Sequence, residues 1–281
     1  MPRLLIATIL LATVAIPIPD TIPSNATAPA ELNNEAPVYL ALGDSLAVGA
    51  GASEPARTGY VPLVHEALRQ SFPCEQGDDV PCSELQMVNL AEGGATTTTL
   101  LENQLPQALA LIEARNTDDV PGNDVIAITI DIGGNDAVAG VFDACAESVT
   151  ARCPQAVQET LSIISMNLTT ILMQLRGAAG PETSIAVMTY FNALIACDYR
   201  HVADNAGLVL DGVPGITPGL NGVIRQAAER ADARVADTFG LLTVDDLIGG
   251  ADCLHANDAG YRKIATVFTS VLTTDATFRD L

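Results

Sequence analysis

The chain alternates between short runs that are almost continuously apolar and longer stretches in which apolar residues recur at helical spacing. The apolar runs are 38–42 (Val-Tyr-Leu-Ala-Leu), 85–90, 125–130 (Val-Ile-Ala-Ile-Thr-Ile), 185–190 and 234–238. Runs without polar alternation are the pattern of strands buried on both faces of a parallel sheet. Between them the spacing predicts helices at 59–71, 98–115, 155–177, 219–231 and 258–273, with Pro154 suited to a helix start and Gly177 to a helix stop. Strand-helix alternation over this length predicts one doubly wound α/β domain, with no internal repeat. The segments 140–154 and 196–218 read as loop insertions.

The first residues break this pattern. Arg3 precedes an apolar stretch from Leu4 to Ile16, which Pro17 and Pro19 interrupt. It is too short for a membrane span, and a Pro/Thr/Ser/Asn-rich linker follows it. The expected organisation is therefore a signal peptide and the start of a linker over 1–30, the rest of the linker over 31–37, and a single domain over 38–281. Cleavage after Ala15 and cleavage within 26–30 both fit, and an N-terminal membrane anchor is the competing reading. No cysteine follows the apolar run, which argues against lipid attachment.

Composition narrows the partners. Of 281 residues, 48% are hydrophobic but only 4% aromatic, so the core is built from Ala, Val, Leu and Ile. The formal net charge is −21. Phosphate backbones need a basic surface, so nucleic acid is excluded as a partner, and docking on an anionic membrane is disfavoured for the same reason. The six cysteines suit an oxidising compartment. Spacing favours Cys74 with Cys82 and Cys145 with Cys153, each pair bracketing a polar loop, which leaves Cys197 with Cys253. No CxxC pattern supports a metal site. The acidic pairs Asp78-Asp79, Asp118-Asp119 and Asp245-Asp246 lack the spacing of an EF-hand.

In an open parallel sheet, ligands bind beyond the carboxyl ends of the strands. The first run ends in Gly43-Asp44-Ser45-Leu46, the second in Asn89-Leu90-Ala91-Glu92-Gly93-Gly94, and the third in Asp131-Ile132-Gly133-Gly134-Asn135-Asp136. Asp252-Cys253-Leu254-His255 follows the fifth. A serine hydroxyl becomes a useful nucleophile once a base takes its proton, and a carboxylate on the far ring nitrogen fixes the tautomer of that base. Ser45, His255 and Asp252 supply these three groups, the last two from one short loop. A tetrahedral intermediate also needs donors for its oxyanion. The N–H groups of Ser45 and Gly94 and the side-chain amide of Asn135 are the candidates. His65 lies on the helix after the serine and reads as a packing residue, while His201 lies in a loop insertion. Asp44, Asp136 and Asn89 read as braces of their turns. Asp131, an acid ending an apolar strand, has no role that the sequence defines.

These four blocks, in this order and spacing across 38–272, resemble those of the SGNH (GDSL) hydrolase family. The resemblance implies a flavodoxin-like three-layer α/β/α sandwich with a five-stranded parallel sheet. It also implies a catalytic Ser45, oxyanion donors at Ser45, Gly94 and Asn135, and a base at His255 supported by Asp252. The three cysteine pairs look like those of secreted actinobacterial-type lipases and esterases in this family. Two positions depart from the family pattern. Ala256 follows the histidine where proline is frequent, which predicts a less rigid loop. Gly93 precedes Gly94 where serine is common, which leaves open which N–H faces the oxyanion. The Gly-x-Ser-x-Gly turn of α/β-hydrolases is absent, because position 47 is Ala, and this favours an open, flatter site. The expected protein is a secreted, monomeric, cofactor-free and metal-free serine esterase or lipase acting on small-molecule or lipid esters. A carbohydrate acetylesterase or transacylase on the same machinery is the alternative within enzymes. A non-catalytic binding protein that keeps the fold is the alternative outside them.

Overall fold

A computed structural model describes residues 32–71, 85–118, 120, 122–145, 152–197, 206–207, 209–212, 218–250 and 252–274, with the side chains of 142–145 and 152 not described. Five parallel strands form the sheet: β1 (Val38–Gly43), β2 (Gln86–Asn89), β3 (Val125–Asp131), β4 (Ser184–Met188) and β5 (Arg234–Ala236). Their spatial order is β2-β1-β3-β4-β5, so the chain reverses direction across the sheet between β1 and β3. That reversal leaves a crevice at the carboxyl ends of β1 and β3, the usual ligand position in such sheets. Strands β1 and β4 are buried at every residue, whereas the edge strand β2 alternates between half-buried and exposed positions. This is the α/β fold that the apolar runs predict.

Six helices frame the sheet and the site. They are α1 (Ser45–Val48), α2 (Tyr60–Ser71), α3 (Leu105–Asn116), α4 (Gly134–Cys145), α5 (Arg152–Ala179) and α6 (Gly219–Arg230), followed by a closing helix α7 (Asp258–Thr273). Fully buried Tyr60 of α2 stacks on Phe268 of α7 with ring centroids 5.0 Å apart, which joins α2 to the closing helix. A π-helical turn, Leu100–Gln104, precedes α3.

Three local expectations need correction. Residues 140–145 are not loop, because α4 continues through them; Ala137, Val138 and Val141 give that helix an apolar side that lines a cavity. Within 196–218, residues 206–207 and 209–211 are helical. Gly177 does not stop α5. The helix runs on to Ala179, and Gly180 ends it with φ +78°, a conformation that costs glycine little. A further element went unforeseen: β6 (Leu247–Gly249) and β7 (Asp252–Ala256) form a separate antiparallel ribbon.

Candidate active site

The turn after β1 is held in place from below. Gly43 gives and accepts hydrogen bonds with the buried side chain of Gln104, N–H to Oε1 at 2.9 Å and Nε2 to O at 2.8 Å. A Cβ on Gly43 would meet Asp131 Oδ1 at 2.5 Å, so only glycine lets the two strand ends approach this closely. Asp44 then caps α1, its Oδ1 accepting from Leu46 N–H at 2.9 Å, and Ser45 becomes the first helical residue. Asn89 braces the same turn from β2, donating to Ala47 O at 2.8 Å.

The second half of the site stands on the ribbon. Asp252 and His255 lie on strand β7, not on a loop, and Ala256 is fully buried and paired with Leu247. The alanine at that position therefore does not create the looser loop that its sequence suggests, because strand pairing fixes the backbone instead. Asn257 follows and caps α7, accepting from Ala259 and Gly260 N–H while its amide donates to Asp245 O. The disulfide Cys197–Cys253 ties the ribbon to the 3-10 turn Ala193–Ala196. Gly51 lets the α1 loop pass against this ribbon: a Cβ there would meet Ala256 O at 2.7 Å and His255 Cβ at 2.9 Å.

These supports bring Ser45 and His255 together across 210 residues of chain. His255 Nε2 lies 2.9 Å from Ser45 Oγ. His255 Nδ1 lies 2.8 and 2.9 Å from the two carboxylate oxygens of Asp252. Burial pushes the Asp252 carboxyl up, but hydrogen bonds from the His255 ring and from the Leu254 and His255 N–H groups outweigh it and hold it below the ordinary carboxylate range. An ionised Asp252 has no proton to give, so Nδ1 carries the hydrogen and Nε2 is left to accept from the serine hydroxyl.

Asn135 begins α4 and borders the same cavity as Ser45 and His255. Its amide donates to Ala95 O at 2.9 Å, which engages one of its two hydrogens. Gly94 stands one residue before that carbonyl, in an exposed turn with φ +77°, and is not part of the cavity wall. Three further bonds hold this turn beside the site. Glu92 N–H reaches Gly43 O at 3.2 Å, and Asp136 accepts from the N–H and hydroxyl of Thr97. Asp136 thus braces the Gly94 turn against α4.

The site is not flat. Beside Ser45 lies a cavity of about 170 Å³, walled by Val141, Phe191, Leu194, Val209, Leu210 and Leu220 among others. Its only polar or ionisable wall residues among those described are Asp44, Ser45, Asn135, Tyr190, Asn192 and His255. Beneath it sits a group that sequence reasoning left without a role. Asp131 is fully buried; its Oδ2 accepts from Asp44 N–H at 3.2 Å and its Oδ1 bonds the Tyr60 hydroxyl. Tyr190 donates to Asp44 Oδ2 at 2.6 Å. Burial, with the nearby Asp44 charge acting in the same sense, raises the Asp131 carboxyl well above its usual range. Gln104 was missed too, since in sequence it is only one more polar residue on a helix.

Of the remaining candidates, His65 hydrogen-bonds Leu85 O at 2.7 Å and is a packing residue. His201, Cys74, Cys82 and the side chain of Cys145 lie outside the described residues, and Cys153 is disulfide-bonded. No cluster of metal-ligating side chains occurs among the described residues.

Solved structures share this architecture. The lipase Lip_vut3 from a goat rumen metagenome superposes with a TM-score of 0.59 at 19% identity, covering 83% of this chain and 96% of that one. A member of the lipolytic G-D-S-L family from Veillonella parvula DSM 2008 superposes with a TM-score of 0.50 at 16% identity, covering 85% of this chain and all of that one (100%). No curated protein matches the sequence. The sequence model of the GDSL-like Lipase/Acylhydrolase family matches residues 41–263, and the chain belongs to that family.

Proposed function

We propose that this carboxylic ester hydrolase works through an acyl-enzyme on Ser45 and acts on esters whose acyl chain lies in the apolar cavity. The observation that carries the reading is the unbroken hydrogen-bond chain Ser45–His255–Asp252 opening on an apolar wall. Ser45 Oγ attacks the ester carbonyl while His255 Nε2 takes its proton. The resulting oxyanion is held by the Ser45 N–H and the Asn135 amide, with the Gly94 N–H as third donor. The C–O bond to the alcohol then breaks, and His255 returns the proton to the departing oxygen. Water, deprotonated by the same ring, attacks the acyl-enzyme and releases the acid and the free serine. Asp252 stays ionised throughout, orienting the ring and stabilising its charged form. No step calls for a metal or cofactor.

The cavity favours acyl chains longer than acetyl, because a two-carbon acyl group leaves its aliphatic wall unfilled. Each added methylene that is buried contributes about 0.8 kcal/mol, so kcat/KM for p-nitrophenyl esters is expected to rise about fourfold per methylene until the cavity is full. Highest turnover on acetate would instead support the carbohydrate acetylesterase reading. No turnover on any ester, with the protein folded, would support a binding protein. Loss of turnover in Ser45→Ala supports the nucleophile assignment, and its survival removes it. We also read the protein as secreted, with a single catalytic domain over 38–281. The apolar stretch after Arg3 and the disulfide chemistry support this. Amino-terminal sequencing of secreted material tests it.

A further inference from the structure

Five exposed aliphatic side chains lie on the elements that carry or brace the site. They are Val48, Val138, Ile195, Ile248 and Leu254, each between 38% and 44% exposed. They come from separate elements. Val48 ends the helix that Ser45 begins, and Val138 lies one turn after Asn135 on α4. Leu254 and Ile248 lie on the ribbon beside His255, and Ile195 lies on the 3-10 turn that the Cys197–Cys253 disulfide joins to it. A methyl built on Gly51 would meet both Ile248, at 3.1 Å, and His255, at 2.9 Å, so the ribbon brings this isoleucine against the same loop as the base without placing it in the cavity wall. Val138 and Leu254 are exposed and also line the cavity, so at these two positions the exposed apolar surface continues into it.

Exposed apolar side chains gathered on elements that pack against one another, as α1, the ribbon and the 3-10 turn do, mark an interaction site. Two occupants are opposed by charge. A second copy also carries −21, as does the first, and the two repel; an anionic lipid surface repels the chain for the same reason. No lysine or arginine is among the described residues lining the cavity that could pair with an anionic headgroup. An electrically neutral lipid surface meets neither objection, and it holds esters whose acyl chains match the cavity wall.

We propose that this surface docks the active site on a neutral lipid–water interface, from which the ester passes into the cavity. The proposal rests on the ester-hydrolase reading of the same cavity. It is tested with the full chain, the double variant Ile195→Ser/Ile248→Ser and the control Met173→Ser. Neither isoleucine lines the cavity, and Met173 is an exposed apolar residue of α5 that does not line it either. Co-sedimentation with phosphatidylcholine vesicles reads docking, and turnover of a dissolved short-chain p-nitrophenyl ester reads the chemistry.

The wild type and Met173→Ser are expected to bind phosphatidylcholine vesicles. The double variant is expected to lose on the order of tenfold in binding while keeping its turnover of the dissolved ester, since interfacial affinity follows the apolar area buried. Phosphatidylglycerol vesicles at low salt are expected to bind the wild type more weakly than phosphatidylcholine. The proposal is overturned if the wild type ignores phosphatidylcholine, if the double variant binds as well as the wild type, if Met173→Ser loses as much, or if anionic vesicles bind better. A concentration-dependent dimer that the double variant abolishes would overturn it too, by making the surface a self-interface. If vesicles bind as expected but no dissolved ester is hydrolysed, the docking stands and the ester-hydrolase reading fails.

Discussion

Two acids near Ser45 have opposite electrostatic settings. Asp252 is held below the ordinary carboxylate range by bonds from His255 and Leu254, so it remains an anion at neutral pH. Asp252→Asn removes the charge that stabilises a protonated His255 and disturbs the tautomer choice. It is expected to lower kcat by about 10²–10⁴-fold with little change in KM, the range typical of general-base contributions. A steady-state comparison with wild type checks this, and a loss confined to KM would contradict it. Asp131 is the reverse case, an acid whose burial favours the protonated form. Below the ordinary carboxyl range both the folded and the unfolded chain hold this proton. Above it the unfolded chain releases the proton while the folded chain keeps it, so each further pH unit removes about 1.4 kcal/mol of stability until the folded carboxyl ionises. Asp131→Asn keeps the shape and one acceptor but removes the titration. Its melting temperature relative to wild type is expected to climb as the pH rises above the ordinary carboxyl range. A difference that stays constant with pH would contradict a protonated Asp131. Neither setting is visible in sequence, where both residues are simply acids near a strand end.

The elements were readable to different degrees, for a physical reason in each case. Strands β1, β3 and β4 are buried on both faces, so apolar continuity announced them, and glycine-rich strand ends announced the turns that hold Ser45 and Asn135. The ribbon β6–β7 was not legible. Leu-Ile-Gly and Asp-Cys-Leu-His-Ala carry no clear alternation, and their pairing depends on contacts with the 3-10 turn at Ala193–Ala196 and with the cap at Asn257. The clamp of Gln104 on Gly43 was hidden because a π-helical turn, not the regular helix the spacing suggests, aims that side chain inward. The ribbon also carries a prediction. Cys197–Cys253 fixes the strand that bears His255, so reduction is expected to lower kcat before the domain unfolds. Activity and far-UV circular dichroism followed together during reductant titration check this order. Confirmed reduction of that bond with unchanged activity would show that strand pairing alone holds His255.

At the scale of the molecule, the sheet order accounts for the location of the chemistry. The crevice between β1 and β3 collects Ser45 from the first strand end and Asn135 from the third, and α7 and the ribbon return His255 to the same place. Ser45 Oγ is proposed to be the atom that carries the acyl group. Mass spectrometry of the protein after exposure to an activated alkyl phosphonate ester tests it most directly, because the phosphorus centre traps the attacking oxygen. One stable adduct per chain is expected, located on the peptide containing Ser45, absent from Ser45→Ala and formed much more slowly in His255→Ala. Labelling of another residue together with loss of ester hydrolysis, or full hydrolysis by Ser45→Ala, would contradict it.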